Sequence, residues 1–508
     1  MTILDMNGNP VESKVRKFSN APRYSGADLS RLTNDWVSSS MDKADANSWD
    51  AYALRVRSRD LMRNDPVAFA VIDTMITNVI GYGLQLQSDI SAKKLGVSEE
   101  KAAKIQDACE DVFCEWSKNA DKARVLNFNE YQRLAFQKIM VDGEAIVLPT
   151  WAEGPRKEFG RCLQMLESEE LDTNWIPNDK TLNGITFDTD GAPKTYWLKK
   201  YKKTERLSTS MRPQAIKARD EMGRPNVLHI FETARPNQTR GLPKLTPVMS
   251  KFQDFNEYLE AEIVSARVAA CLAVFVQKND AVSAAQAMGA DDYDYYGQRQ
   301  QDIEPGVINY LEPGETIEVV DPKRNDSIGA FTSSIMQIVG MATGLPYELL
   351  VKDFSKTNYS SARAALLEAR RQFEYYRKWF ADKFCQPIYE LVIEEAYYRG
   401  MLPITQAQFD SKFSQITKAK WNGSPFGQID EVKETQAAIL RINSGLSSYA
   451  DELTGDGKDW KNVFAQRKRE NELSKEYGLG FELSTTLSKG KTPGSGTGGN
   501  SNADTEEE

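Results

Sequence analysis

Between residues 49 and 79 the apolar positions Leu54, Leu61, Ala68, Ile72 and Ile76 recur at spacings of four and seven, which predicts helix. Asn64-Asp65-Pro66 interrupts the run. Pro66 suits the first turn of a second helix, with Asn64 or Asp65 as its cap. Gly81-Tyr82-Gly83 closes that helix, and the LQLQ that follows predicts a strand. Further helices are expected over 98–119, capped by Ser98 with Glu99 and Glu100 in the first turn, and over 129–141. The period then changes to two. GEAIVLPTW, CLQMLES, GITFDTDGAPKTYWLKKY and PNVLHIFE read as short strands, with turn residues such as Asp190-Gly191 between them. The charged stretch 199–224 is expected to be an exposed loop.

Helical spacing returns at 245. Leu245, Val248, Met249, Phe252, Phe255, Leu259 and Ile263 share one face of a helix continuing to about residue 274. Residues 277–325 differ in character: polar and alanine-rich, then DDYDYYGQRQQ, then the strand-like GVINYL and ETIEVV. Helix resumes over 327–343, and GLPYELLVKDFSKTN reads as a loop. Residues 359–400 read as one helix of roughly 60 Å at 1.5 Å per residue. Leu366, Ala369, Phe373, Tyr376, Phe380 and Phe384 mark its stripe, and Pro387 is expected to kink it. Two or three helices are expected within 404–476. Residues 1–45 form a polar arm, and 485–508 hold too little apolar surface to fold.

The chain has 508 residues, a net charge of −9 and 27% charged residues, a length suited to about three domains or one large multipart fold. The most apolar stretch, 269–276, is far shorter than the roughly 20 residues a spanning helix needs. The opening MTILDMNGNPVESK has no apolar run after a basic one, so no signal peptide is expected. Five cysteines argue against a disulfide framework and suit a reducing cytoplasm. Cys109 and Cys114 read as a buried pair of free thiols.

Catalytic chemistry finds little support. His229 is the only histidine and lies in the strand-like VLHIF, so a structural role is expected; a serine triad or histidine-based zinc site is disfavoured. Glu167-Ser168-Glu169-Glu170 and Asp291-Asp292-Tyr293-Asp294 are acidic clusters, but two-metal sites need carboxylates converging from separate elements, so solvated faces are the default. Gly490-Lys491-Thr492 imitates the end of a phosphate-binding loop. Thr485 stands where its glycine is required, and Pro493 follows where a helix should begin. No enzyme, cofactor or metal is expected. The acidic balance argues against a DNA-binding module with a basic face. It suits a wall past which DNA slides without a salt-dependent grip.

Six stretches, in order along about 430 residues, carry a family resemblance. They are RSRDLMRNDPVAFAVIDTMITNVIGYGLQLQ (57–87), NFNEYQRLAFQKIMVDGEAIV (127–147) with LQMLESEELD (163–172), GITFDTDGAPKTYWL (184–198), VLHIFETARPNQTRGLPKLTPVM (227–249), GLPYELLVKDFSKTNYSSARAALLEARR (344–371) and WNGSPFGQIDEVKETQAAILRINSGLSS (421–448). Together they resemble the lambda-type family of tailed-phage portal proteins. Its motif residues here are Arg235, Pro236, Gln238, Arg240, Gly241, Pro243, Tyr359, Ser360, Ser361 and Arg363. The chain departs from the family's Trp-Val-Asp-Pro at Gln428-Ile429-Asp430-Glu431, and 277–325 carries no recognised motif. A purely local reading is also available. RPNQTRGLP can be a turn capping the 245–274 helix, with Pro243 as an early helical residue and Gly241 relieving backbone strain. NYSSARAALLEARR can be a helix start capped by Asn358 or Ser360, with Glu368 and Arg371 as a surface pair.

The resemblance implies an α+β portal fold, mainly helical and ring-forming. Its expected parts are an arm (1–45), a wing of helices plus a β-rich region (46–244), stem helix 1 (245–276), a small α/β clip (277–325), stem helix 2 (326–350), a tunnel loop (351–358), a long helix (359–403), a crown-like helical region (404–484) and an acidic tail (485–508). It further implies a ring, usually of twelve copies, at one capsid vertex of the virion, assembled in the bacterial cytoplasm. Through it DNA would pass during packaging and ejection. The expected partners are the terminase large subunit, the major capsid and scaffold proteins, a head-completion or tail-connector protein, and double-stranded DNA held without sequence preference; no membrane is implied. Lys352, Asp353, Lys356, Thr357 and Asn358 would face the DNA, the lysines touching phosphate. Asp291, Asp292, Tyr293, Tyr295 and Tyr296 would dock terminase or connector. The competing readings are another virion structural protein, such as a head–tail adaptor, and a DNA-processing enzyme of the packaging machinery.

Overall fold

The structure, a computed structural model, describes residues 45–152, 158–199, 213–236, 238–271, 275–276, 309–310, 328–355, 357–427, 431–458 and 460–478. The expected arm and acidic tail, Gly490-Lys491-Thr492, Lys356, and Asp291, Asp292, Tyr293, Asp294, Tyr295 and Tyr296 lie outside these residues.

Helix α1 (Asp45–Asn64) gives way to α2 (Pro66–Val79) at the expected break, and Asp65 is the cap, accepting hydrogen bonds from the amides of Val67 and Ala68. Strand β1 (Gln85–Ser88), the short α3 (Ala92–Leu95), α4 (Glu99–Ser117, capped by Ser98) and α5 (Phe128–Asp142) follow. Asn127 and Glu130 close a reciprocal capping box on α5, which therefore starts one residue before its expected position. In α4 only Cys109 is buried. Cys114 is exposed, because five residues of helix turn it roughly 140° away, so the two thiols are not a buried pair.

The β-rich region makes two sheets. The first has order β3 (Arg161–Leu166), β2 (Glu144–Trp151), β8 (Leu228–Phe231), all antiparallel. The second runs β4 (Thr181–Leu182), β5 (Ile185–Phe187), β6 (Pro193–Leu198), β7 (Gln214–Lys217). Strand β7 falls in the stretch expected to be loop; it pairs with β6, Tyr196 opposite Ile216. Alternation along β2 divides two cores. Ala145 and Val147 join the large helical core, while Ile146 and Leu148 join a smaller one with Ile185, Tyr196 and Leu198.

Helix α6 (Met249–Cys271) starts after a 3-10 turn at Thr246–Val248. Residues Phe275–Val276 (β9) and Asn309–Tyr310 (β10) pair in parallel. Helix α7 (Ile328–Thr343) packs on α6, with the Tyr258 and Phe331 rings 4.4 Å apart. Phe331 lies near the start of α7, yet the turn before α6 also touches α7, so the two helices are antiparallel. The segment expected to be pure loop after α7 contains a short helix, α8 (Tyr347–Val351), opened by Pro346 and anchored by buried Leu350.

The expected single helix over 359–400 is two, α9 (Tyr359–Phe380) and α10 (Gln386–Tyr398), joined by a π-helical turn at Ala381–Cys385. Pro387 supplies the reason: it has no amide hydrogen for the carbonyl four residues earlier, and the wider turn accommodates the loss without ending the helix. The stripe from Ala369 to Phe384 is buried in this chain's own core, where Phe128, Phe136, Tyr376, Phe380 and Phe384 stack or meet edge-on. Four helices, not two or three, occupy the C-terminal region: α11 (Gln406–Ile416), α12 (Glu431–Asn443), α13 (Tyr449–Gly455) and α14 (Trp460–Glu476). Between the first two, β11 (Ala419–Asn422) returns to pair with β1, setting Trp421 opposite Leu86 and in contact with Phe113 and Tyr389.

Candidate functional site

Two of the family-motif residues, Arg240 and Gly241, meet a buried cluster of charge where α1, α5, β2 and the segment after β8 come together; Tyr359, Ser360, Ser361 and Arg363 lie elsewhere, at the start of α9. Glu144, the first residue of β2, is fully buried. Its carboxylate accepts from Arg240 Nε (2.8 and 2.9 Å) and Nη2, Arg55 Nη2 (3.3 Å), the Gly241 amide (3.2 Å) and His229 Nε2 (3.0 Å). Burial alone pushes this carboxyl up. The Arg240 charge and the hydrogen bonds from His229 and Arg240 outweigh it and hold the group well below the ordinary carboxylate range. Two residues earlier Asp142 takes a bidentate pair from Arg59 (2.6 and 2.8 Å) and an ion pair from Lys138 (2.9 Å). Burial raises its carboxyl too, but the Arg59 and Lys138 contacts again leave it lowered. Glu167 and Glu169 close the cluster by bonding Arg59, each at 3.1 Å. In this acidic run Glu167 stays exposed, as expected of a solvated face, while pairing with Arg59; Glu169 is ion-paired and half-buried, and Glu170 accepts from the Glu167 amide. The cluster holds no convergent carboxylates free for metal, and among the described residues no such group occurs elsewhere.

The motif residues Gln238, Arg240, Gly241 and Pro243 have legible tasks here. Gln238 staples its turn: its side-chain oxygen accepts from the amides of Ala234 and Arg235, and its nitrogen donates to the Arg240 carbonyl. Arg235 and Pro236 lie in that exposed turn. Arg240 reaches the carbonyls of Ser168 (2.9 Å) and Asn183 (3.4 Å) as well as Glu144, so one guanidinium ties both sheets together. Gly241 is not relieving a left-handed backbone as expected. A Cβ there would lie 1.9 Å from the Gly143 carbonyl oxygen, so two backbone segments pass too closely for any side chain. Pro243 precedes the helix instead of lying in it, and its carbonyl accepts from the Thr246 amide and hydroxyl, opening the 3-10 turn. His229 has the structural place expected of it, between Glu144 and the Tyr196 and Phe231 rings. Arg55, Arg59 and Glu144 were not anticipated. The available signal was a glutamate heading an otherwise apolar strand.

The expected tunnel-loop residues lie apart from this cluster, between α8 and α9. Lys352 is exposed and takes a left-handed conformation (φ 57°) to end α8. Asp353 Oδ1 accepts from the Ser355 amide, Thr357 bonds the Phe354 carbonyl, and Asn358 caps α9 through the Ser361 amide and hydroxyl. Ser360 and Arg363 are exposed on the first turns of α9, Tyr359 opens it, and Glu368 pairs with Arg371 at 3.2 Å. Asn358 and not Ser360 is thus the cap.

At the far end of α9 from this loop, Arg377 joins the sixth sequence block to the first. Its guanidinium donates to the carbonyls of Asn78, Val79 and Ser424 and lies 4.1 Å over the Phe426 ring. Burial lowers this arginine to about 10.

The chain is similar to known proteins. Residues 29–377 match the family model described as phage portal protein, lambda family. The portal protein of Escherichia phage N15 is 25% identical over 455 residues, covering 83% of this chain and 84% of that one. Portal protein B of Escherichia phage lambda is 24% identical over 452 residues with the same coverages. A probable portal protein of Halomonas phage phiHAP-1 is 25% identical over 486 residues, 93% of this chain and 90% of its own. The matched region holds both strands of the Glu144–His229 junction, Arg240-Gly241 and the start of α9, and the chain belongs to the lambda family of phage portal proteins.

Proposed function

We propose that the chain assembles, usually as twelve copies, into the ring at one capsid vertex of the virion, after assembly in the host cytoplasm. DNA then passes through the ring during packaging and ejection. Membership of the portal family carries this reading. The antiparallel pair α6 and α7 supports it as the stem, with the proposed clip, 277–325, between the two helices in sequence. That clip, with Asp291, Asp292, Tyr293, Tyr295 and Tyr296, is the proposed dock for the terminase large subunit and later for a head-completion or tail-connector protein; the major capsid and scaffold proteins are further proposed partners. Ile263 on α6 and Ile338 and Met341 on α7 are exposed apolar residues that a neighbouring stem would cover. The protein works mechanically, without catalysis. Lys352 and Lys356 supply weak phosphate contacts, repeated around the ring, that check backsliding without a firm grip.

Electron microscopy of the purified protein tests the ring; monomers or solid particles without a channel would sink it. Alanine at Lys352 and Lys356 tests the loop: packaged heads should lose DNA retention, and unchanged packaging and retention would remove both lysines from the mechanism.

A further inference from the structure

We propose that the chain's own segment 479–489 docks as a short added strand on the open edge of β1, in the groove between α4 and α14. The segment lies outside the described residues, so its sequence carries the first half of the argument. Over LGFELSTTLSK, Leu479, Phe481, Leu483, Thr485, Leu487 and Lys489 fall on one side at a period of two. That alternation is the pattern of a half-buried strand. A lone strand is not stable and needs an edge to pair with. Strand β1 offers one, since its sheet has only β11 besides. Asp89 donates to the Lys418 carbonyl, which sets the phase of the ladder. Gln85 and Gln87 therefore hold the bonds to β11, while Leu84, Leu86 and Ser88 turn their amides and carbonyls the other way. Two of these three are capped. The Gln132 carboxamide takes both groups of Leu84, and Glu110 accepts from the Ser88 amide. Among the described residues nothing caps Leu86, which opens onto a groove of about 600 Å³.

The groove's chemistry matches this segment. Asp107, Glu110, Asp111 and Cys114 share one face of α4 and form one wall, with Phe113 beside them and Lys461 of α14 across from them. Three carboxylates thus meet one lysine, and that lysine already bonds Asp107 at 3.1 Å. Asp111 is exposed and has no ion pair among the described residues. The added strand runs parallel to β1. With Leu487 beside Leu86, Lys489 then lies beside Ser88, at the end of the groove that holds Glu110. An extended strand on an open edge takes its affinity from main-chain bonds and its specificity from alternate side chains. Reach is sufficient. From Ala465, which lines the groove, α14 continues about 16 Å to Glu476. The residues from 477 to 487 span up to ~36 Å, enough to turn back. Such a tether keeps the segment at an effective concentration on the order of mM, so a small contact suffices. Docking also anchors α12, α13 and α14, none of which buries a residue of its own.

The test uses the full chain and a native probe, the exposed thiol of Cys114 on the groove wall. Its alkylation by a maleimide, read on the Cys114 peptide by mass spectrometry, should be about tenfold faster in Leu487→Asp and in Lys489→Glu than in the unaltered chain. Combining Lys489→Glu with Asp111→Lys should restore the slow rate, and Thr497→Asp, beyond the segment, should leave it unchanged. Leu487→Cys should form a disulfide with Cys114 within one chain. Equal alkylation in the unaltered chain and in both single variants would overturn the inference. So would a Leu487→Cys to Cys114 disulfide that joins two chains, which would assign the groove to a neighbouring copy's segment. Should a segment variant lose helical circular dichroism, the disulfide decides alone. The portal reading stands whichever result is found.

Discussion

Removing the charge of Glu144 tests whether the buried cluster is the joint that holds the wing together. Glu144→Gln keeps the shape and one acceptor oxygen but leaves the buried guanidiniums of Arg55 and Arg240 without their shared anion. Besides the one remaining oxygen, Arg240 would retain the Ser168 and Asn183 carbonyls, and Arg55 its long contacts to Glu169 and the Asp142 carbonyl, none of which supplies the buried charge lost. Breaking a buried pair from one side costs about 3–5 kcal/mol, mostly as the penalty on the charge left behind. Arg240→Met alone should cost a similar amount. The double variant should cost clearly less than the sum, with a coupling of about 2 kcal/mol. Urea unfolding read by tryptophan fluorescence suits the measurement, because Trp116 and Trp421 lie against the same aromatic core. A cost under about 1 kcal/mol, the figure for an exposed pair, would refute the assigned role. So would strict additivity. The sign of the pH dependence follows from the lowered carboxyls of Asp142 and Glu144: the folded state binds fewer protons than the unfolded one, so their contribution is fully present above the ordinary values of 3.8 and 4.5 and is lost as pH falls from there through the lower folded values. Glu144→Gln should flatten that acid limb.

Three further outcomes are expected. Gly241→Ala forces a methyl against the Gly143 carbonyl and should cost at least the ~1–3 kcal/mol of ordinary overpacking, visible as a lowered Tm; an unchanged Tm would contradict the close approach. Lys352→Gly should stabilise by about 1 kcal/mol by relieving the left-handed strain, whereas Lys352→Ala should be near neutral; equal loss of DNA retention in both would assign that effect to the charge and not the backbone. Arg377→Lys removes the fork that caps α2 and reaches Ser424, so urea unfolding should show a loss of about 2 kcal/mol, and wild-type stability would show that a point charge suffices.

Local order was legible in the chain wherever one short-range rule acts without competition. The Ser98 cap, the helix starts that narrowed the caps to Asn64 or Asp65 and to Asn358 or Ser360, four of the period-two stretches and the apolar stripe from Ala369 to Phe384 each follow from spacing or from a side chain meeting its own backbone; the structure chose Asp65 and Asn358. Family membership was also legible, because ordered blocks survive where single contacts do not. The Glu144 junction was not. Its partners are 85 to 97 residues away along the chain, and a charge becomes a core residue only when arginines from other elements arrive to neutralise it. Gly241 has the same lesson in steric form: the need for glycine comes from Gly143, across a gap that only folding closes. The split of the long helix depended on Pro387, readable in sequence, but its repair by a π turn depended on the core keeping both halves aligned. The sequence by itself determined the longer, strongly periodic elements and the family; the tertiary structure decided short pieces such as β7 and α8 and which charges could be buried, because only there do pairing strands and opposite charges come within hydrogen-bonding distance.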